Sequence, residues 1–327
     1  MEQALLNGAR RLFGTKHTKS WLLSTDATEP DLQPTKQNIQ KLFEYLNEHT
    51  TSEDILTLYF SGHGITLSHE QSEYYFLTQD AYSTDVNAYR DSTVLDTTTL
   101  SSREIIELVN STSILKQVLI LDTCASGQVV NNLSQVRDLS SDVLRVLESV
   151  QSRTGLHVIT GSTADAVSYE ASQFAQGLLT YSLLEGMKGA ALDKGSFVDV
   201  VKLFSRARER VRELAKHIGG IQQPVVSSKA DSFYIGELDD NARDSITLLQ
   251  PKPVFLQSTL MNSVTFDNSL RMVSELDAYL RLQSDKGRTA PLVFVESERY
   301  PDGIRLRGLY SREDNTIELT FGRTSRK

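Results

Sequence analysis

Val118-Leu119-Ile120-Leu121 runs without a break into Asp122-Thr123-Cys124-Ala125-Ser126-Gly127, and Ile55-Leu56-Thr57-Leu58-Tyr59-Phe60 runs in the same way into Ser61-Gly62-His63-Gly64. Both apolar runs are too short for helices and rich in β-branched and aromatic residues, which predicts two buried parallel strands. In an open α/β sheet, functional groups gather just beyond the carboxyl ends of the strands. That rule places His63 and Cys124 at the same edge of the sheet.

A thiol with a pKa near ~8.5 is only a few per cent thiolate at neutral pH, and an imidazole near ~6.5 can take its proton and later return one to a leaving amine. Gly62 and Gly64 leave no side chain beside the imidazole, so an extended substrate backbone has room there. The amides of Gly64 and Cys124 are candidate oxyanion donors. An isolated cysteine is commonly a small buried hydrophobe and an isolated Gly-His-Gly a turn. Here each follows its own strand, with a helix-sized segment between them, and the catalytic pair is the favoured reading. His17, His49, His157 and His217 lack that context and read as solvated or packed residues. His69 lies in the polar loop after His63.

These two motifs resemble the two signatures of the caspase-like cysteine peptidases, in their bacterial metacaspase and orthocaspase branch. The resemblance continues through Tyr75-Phe76-Leu77-Thr78-Gln79-Asp80-Ala81, Val158-Ile159-Thr160-Gly161-Ser162-Thr163, Gly177-Leu178-Leu179-Thr180-Tyr181, Gln222-Gln223-Pro224 and Phe233-Tyr234-Ile235-Gly236, over about residues 1–238. It implies a caspase-like, doubly wound, mainly parallel sheet flanked by helices and a cysteine endopeptidase acting on proteins. Members of the family open with an apolar strand and a pocket-bearing loop. This sequence starts inside the helix that follows, so the first strand is expected to be missing.

Asp122 lies two residues before the candidate nucleophile, on the same face of a strand. Family members that cleave after arginine or lysine carry an aspartate there, whereas animal caspases carry a glutamine. The resemblance therefore implies a basic P1 preference, with Asp122 and Ser61 lining the S1 pocket; the alternative for Asp122 is hydrogen bonding to neighbouring loop amides. Asp80, Asp165 and Glu170 are candidate additional pocket acids, since loops after strands carry specificity. Residues 131–153 occupy the place of the linker between large and small caspase subunits. Arg137, Arg145 and Arg153 are the candidate self-cleavage points there.

The chain has 327 residues, enough for about two domains, and its 39% hydrophobic content suits a globular core. No run of about eighteen apolar residues would span a membrane, and the N-terminus lacks a signal-peptide pattern. One cysteine excludes an internal disulfide framework and suits a reducing cytosol, so a cytoplasmic location is expected. A net charge of −8 without an arginine-rich run argues against direct nucleic-acid binding. The mixed charges from Arg206 to Glu213 read as an exposed helix face.

The order of elements predicted is helix 3–13, strand 20–24, helix from Pro34, the His63 strand, strand 74–77, helix 101–109 and the Cys124 strand. A strand around Val158, helices 178–187 and 197–217 and a last strand near Phe233 complete the expected domain, residues 1–238. Residues 239–253 read as a linker punctuated by Pro251 and Pro253. Residues 254–327 read as a small α/β module: strand 254–257, helix 268–284, strand 291–296 and a hairpin over 303–321.

No cofactor is required by the expected chemistry. Some metacaspases need calcium, but the acidic loops lack EF-hand spacing. A protein substrate and an activating or docking partner bound through the C-terminal module are the expected partners. The family's bacterial members imply a regulated protease of defence or cell death. The rival readings are a non-proteolytic caspase-like scaffold and a peptidase with acidic P1 preference; a nucleotide-binding Rossmann protein is discarded for want of a glycine-rich turn.

Overall fold

The computed structural model describes residues 1–68, 72–83, 86–125, 155–161, 177–217, 222, 224–228, 230–249, 251–268, 270–284, 286, 290–295, 303–313 and 316–324. In chain order the elements are α1 (Glu2–Phe13), α2 (Lys36–His49), β1 (Ile55–Ser68), β2 (Ser72–Leu77), α3 (Ser92–Thr98), β3 (Thr99–Ser101), α4 (Ser102–Ser111), β4 (Lys116–Ala125) and β5 (Gly155–Thr160). There follow α5 (Leu178–Glu185), β6 (Phe197–Asp199), α6 (Val200–His217), β7 (Val225–Ser228), β8 (Tyr234–Glu237) and α7 (Asp240–Ser245). The C-terminal module comprises β9 (Val254–Asn262), α8 (Met272–Ser284), β10 (Val293–Val295), β11 (Ile304–Glu313) and β12 (Thr316–Thr324).

The main sheet has the order β3-β2-β1-β4-β5-β7. Its centre, β1, β4 and β5, is parallel; β2, β3 and β7 are antiparallel additions at the flanks. Residues that alternate along the central strands divide between two helical layers, as a sheet covered on both faces requires. Tyr59, Val118, Ile120 and Ile159 pack with Ala4 of α1, Leu179 and Leu183 of α5 and Phe204, Ala207 and Val211 of α6. Leu56, Leu58, Phe60, Leu119, Leu121, Leu156 and Val158 pack with Ile39, Phe43 and Leu46 of α2 and Ile105, Ile106 and Val109 of α4. Val118, Leu119, Leu156 and Ile159 are wholly buried. Side chains buried to that extent contribute about 1.5–3 kcal/mol each.

Local chemistry sets the helix boundaries. The Thr35 side chain accepts from the Asn38 amide at 3.1 Å and starts α2. At α4, Ser101 and Glu104 form a reciprocal capping box, with bonds of 3.1 and 2.8 Å. α6 places Leu203, Phe204, Ala207, Val211 and Ala215 on its inner stripe, and Arg210 of the mixed-charge run reaches across to Glu185 of α5 at 2.7 Å.

Several expectations change. Residues 20–24 form no strand; Trp21 packs edge-on against Tyr45 of α2 instead, with ring centroids 5.7 Å apart, and Leu22 is exposed. Three apolar residues do not make a strand without a ladder partner. The helix expected from Phe197 begins at Val200, because Phe197–Asp199 pairs with β8 and the Asp199 carboxylate accepts from the Lys202 amide at 2.9 Å. β8, expected as the last strand of the main sheet, lies in a separate two-stranded sheet with β6, and the main sheet ends instead on β7. The segment expected as a linker opens with α7, after which Ile246 is buried in the α1, α5 and α6 core. Lys188 donates to the carbonyls of Arg243 and Ile246 at 3.2 and 3.0 Å.

The C-terminal module forms its own sheet, β10-β9-β11-β12. Its hairpin is the expected one, with β11 antiparallel to β12. The first strand runs on to Asn262, and the helix starts at Met272, just after Arg271 with its positive φ of 53°. Among the described residues, no helix is long and apolar enough to cross a membrane.

Candidate active site

The parallel ladder between β1 and β4 aligns Tyr59 with Ile120, Ser61 with Asp122 and His63 with Cys124. Residues in register on neighbouring strands share a sheet face. Positions 59, 61, 63, 120, 122 and 124 therefore form two adjacent columns on the face covered by α5 and α6. Where the helices cover the columns they hold apolar residues, and further along they hold Ser61, Asp122, His63 and Cys124. His63 and Ser61 are exposed, whereas Asp122 and Thr123 are buried.

Asp122 is only 5% exposed. Its Oδ2 accepts from the Thr180 amide at 3.1 Å and from the Thr180 hydroxyl. Thr180 is the third residue of α5, whose N-cap is Gly177 and so offers no side chain of its own. The carboxylate of β4 takes the place of a capping residue, meeting an amide that helix geometry leaves without a partner. Gly177 is required by this approach: a Cβ there would overlap the Asp122 carboxylate. The Tyr59 hydroxyl lies 2.6 Å from Thr180 Oγ1. Since the Thr180 proton is committed to Asp122, Tyr59 is the donor of that pair.

Burial pushes the Asp122 pKa above its ordinary value, and the bonds from Thr180 oppose the shift. Oδ1 receives no hydrogen bond among the described residues. Gly161, at the end of β5, separates that oxygen from Gln222: a Cβ on Gly161 would stand 3.8 Å from Asp122 Oδ1 and 3.4 Å from Gln222 Nε2.

The glycines beside His63 serve packing. Gly64 faces the opposite side of the sheet from His63, where a Cβ would overlap the Tyr74 ring; Gly62 faces Phe76 on that side. Gly64 is in register with both Phe76 and Ala125, so its backbone lies within the sheet.

Asp80 is not brought to Asp122. Its carboxylate accepts from the Lys36 amide at 2.9 Å and the Thr78 hydroxyl at 3.1 Å, capping α2 on the opposite face. Asp165, Glu170, Arg137, Arg145, Arg153 and His69 lie outside the described residues. His157 is packed, as expected: it is wholly buried, bonded to Ser228 Oγ and 3.2 Å from the Asp231 carbonyl. Among the described residues, no group of three or more His, Cys, Asp and Glu side chains could hold a metal ion.

The sequence reading missed Thr180, Gly177, Tyr59 and Gln222. A glycine followed at the third helical position by a hydroxyl in an otherwise apolar stretch is the available signal for the first two.

The family model described as Peptidase_C14, caspase domain, matches residues 18–234, well over half of the chain. The chain belongs to the caspase-domain family. The matched segment is accordingly a caspase domain of the Peptidase_C14 family. The chain is also 42% identical over 52 residues to Metacaspase-1A of Neurospora crassa, an alignment covering 16% of this chain and 12% of that protein. It thus spans a small fraction of that relative's length. The solved structure of protein GSU0716 from Geobacter sulfurreducens is 16% identical, with a TM-score of 0.34, over 61% of this chain and 74% of that one.

Proposed function

We propose that this caspase-domain chain is an endopeptidase in which Cys124 is the nucleophile, His63 the general base and acid, and Asp122 the selector of arginine or lysine at P1. The observation that carries the reading is the register of β1 on β4, which pairs His63 with Cys124 one step beyond the paired Ser61 and Asp122. Cys124 gives its proton to His63, and its sulfur adds to the scissile carbonyl carbon. The oxyanion so formed is held by the amides of Gly64 and Cys124. Collapse breaks the C–N bond, the departing amine takes the proton from His63, and water then hydrolyses the thioester with His63 again as base.

The basic preference follows from charge: a carboxylate on the nucleophile's strand, with Ser61 beside it, attracts a cation and repels an acidic P1. Processing at Arg137, Arg145 or Arg153, docking of a partner through the C-terminal module, and a role in bacterial defence or cell death follow from the family resemblance. One observation favours a second reading, a non-proteolytic scaffold: the Asp122 carboxylate is buried and already engaged by Thr180, so substrate must reach past that contact.

Hydrolysis of a peptide library varied at P1 tests both, using the wild type, Cys124→Ala and Asp122→Asn, with and without calcium. Cleavage after arginine or lysine should vanish in Cys124→Ala and fall at least tenfold in Asp122→Asn. A thiol that alkylates readily without cleaving any peptide would favour the scaffold.

A further inference from the structure

Tyr59 is half-buried on β1, and its hydroxyl lies 2.6 Å from Thr180 Oγ1, across 121 residues of chain. Asp122 Oδ2 takes both Thr180 donors, the amide at 3.1 Å and the hydroxyl. The amide is fixed by the helix, but a threonine hydroxyl has one proton and turns to suit its neighbours. A donor arriving at Thr180 Oγ1 settles the choice: the oxygen accepts from Tyr59, and its own proton goes to the carboxylate. Oδ1 is left over. It borders Gly161 and Gly177, neither of which has a side chain to cover it.

The other groups at this face leave the task to that chain of hydroxyls. β1 adds Ser61 and His63, and β4 adds Cys124, further along the same two columns. β5 is followed by Gly161 with the Gln222 amide beyond it, and α6 meets the face with Phe204, Ala207 and Val211, its Arg210 being paired with Glu185 of α5. Among the described residues Thr180 alone donates to the Asp122 carboxylate. A hydroxyl that itself receives a hydrogen bond is a stronger donor, and a bond to an anion gains more than one to a neutral acid. We propose that Tyr59 is a positioning residue for the basic P1 side chain: through Thr180 it holds Asp122 as an anion with Oδ1 left for the substrate cation. The proposal rests on the basic-P1 reading above and adds to it a residue that acts on the substrate without touching it.

The test is Tyr59→Phe in the full chain, which keeps the ring and removes the donor. For a peptide with arginine at P1, kcat/KM should fall about three- to tenfold at pH 7, mainly through KM. The fall should deepen toward pH 5, because Asp122 without that support takes a proton more readily. Alkylation of Cys124 by iodoacetamide should keep its rate and pH profile, since neither the thiol nor the imidazole belongs to the hydroxyl chain. In Asp122→Asn the same substitution should change nothing further. An equal fall at every pH, slower alkylation, or the same fall in Asp122→Asn would show a packing role and overturn the proposal, as would unchanged kinetics. Calorimetric binding of argininamide to Cys124→Ala, with and without Tyr59→Phe, needs no turnover: weaker binding without the hydroxyl supports the proposal, and unchanged binding overturns it. A protein with Tyr59 intact that neither cleaves after arginine nor binds argininamide would overturn the basic-P1 reading itself, and the proposal with it, before any substitution at Tyr59.

Discussion

Asp122 is held by a short chain of hydroxyls, from Tyr59 to Thr180 to the carboxylate. Thr180→Val keeps the shape and removes the middle link, leaving the amide bond of 3.1 Å in place. The Thr180 bonds oppose the upward shift that burial causes, so removing the hydroxyl should raise the Asp122 pKa further. The expected result is a stability loss of about 1–3 kcal/mol at neutral pH, read from urea unfolding. It should shrink as pH falls, since protonated Asp122 no longer needs the donor. An equal loss at pH 4 and pH 7.5 would show that Thr180 acts only by packing. Asp122 itself, with its folded pKa raised, binds its proton more readily folded than unfolded; its ionisation therefore costs stability as pH rises from the ordinary carboxylate range through the folded pKa.

At the scale of elements, two joints carry predictions. β1 and β2 meet where the Tyr74 ring covers Gly64. Gly64→Ala forces that ring aside and should cost about 1–3 kcal/mol by overpacking, with peptide hydrolysis falling too because His63 is the preceding residue. A melting temperature unchanged from wild type would mean the ring moves freely. β5 and β7 meet where His157 bonds Ser228, its register partner. Burial lowers the His157 pKa, so the unfolded chain takes the proton first and stability falls as pH drops below the unfolded value of about 6.5. Melting temperatures between pH 7.5 and 5.5 should show that slope, and His157→Gln should flatten it. The same strands show how far patterns are legible: β1, β4 and β5 read directly from unbroken apolar runs. β7, only Val225–Ser228, carries too few residues for a period, and the Trp21 run has the composition of a strand without becoming one.

At the scale of the molecule, the buried clusters of the caspase domain draw on residues up to Ile246, while Val254, Leu256, Val293 and Val295 form a cluster of their own. Residues 1–249 expressed alone should therefore melt within a few degrees of the caspase-domain transition in the full chain. Loss of that transition on truncation would show that the C-terminal module is part of the same cooperative unit. The sequence by itself determined the central strands, the two candidate residues on them and the family, because strand periodicity and short motifs are local properties; it placed His63 just beyond its strand, whereas β1 runs on to Ser68. Only the tertiary structure decided that Asp122 caps α5 through Thr180, that Gly64 yields to Tyr74, that Asp80 serves α2 and that Gln222 approaches Asp122 across Gly161. Apart from the hairpin contact of Gly64 with Tyr74, these contacts join residues far apart in the chain, and pairing of that kind depends on how helices and strands stack, which no local pattern encodes.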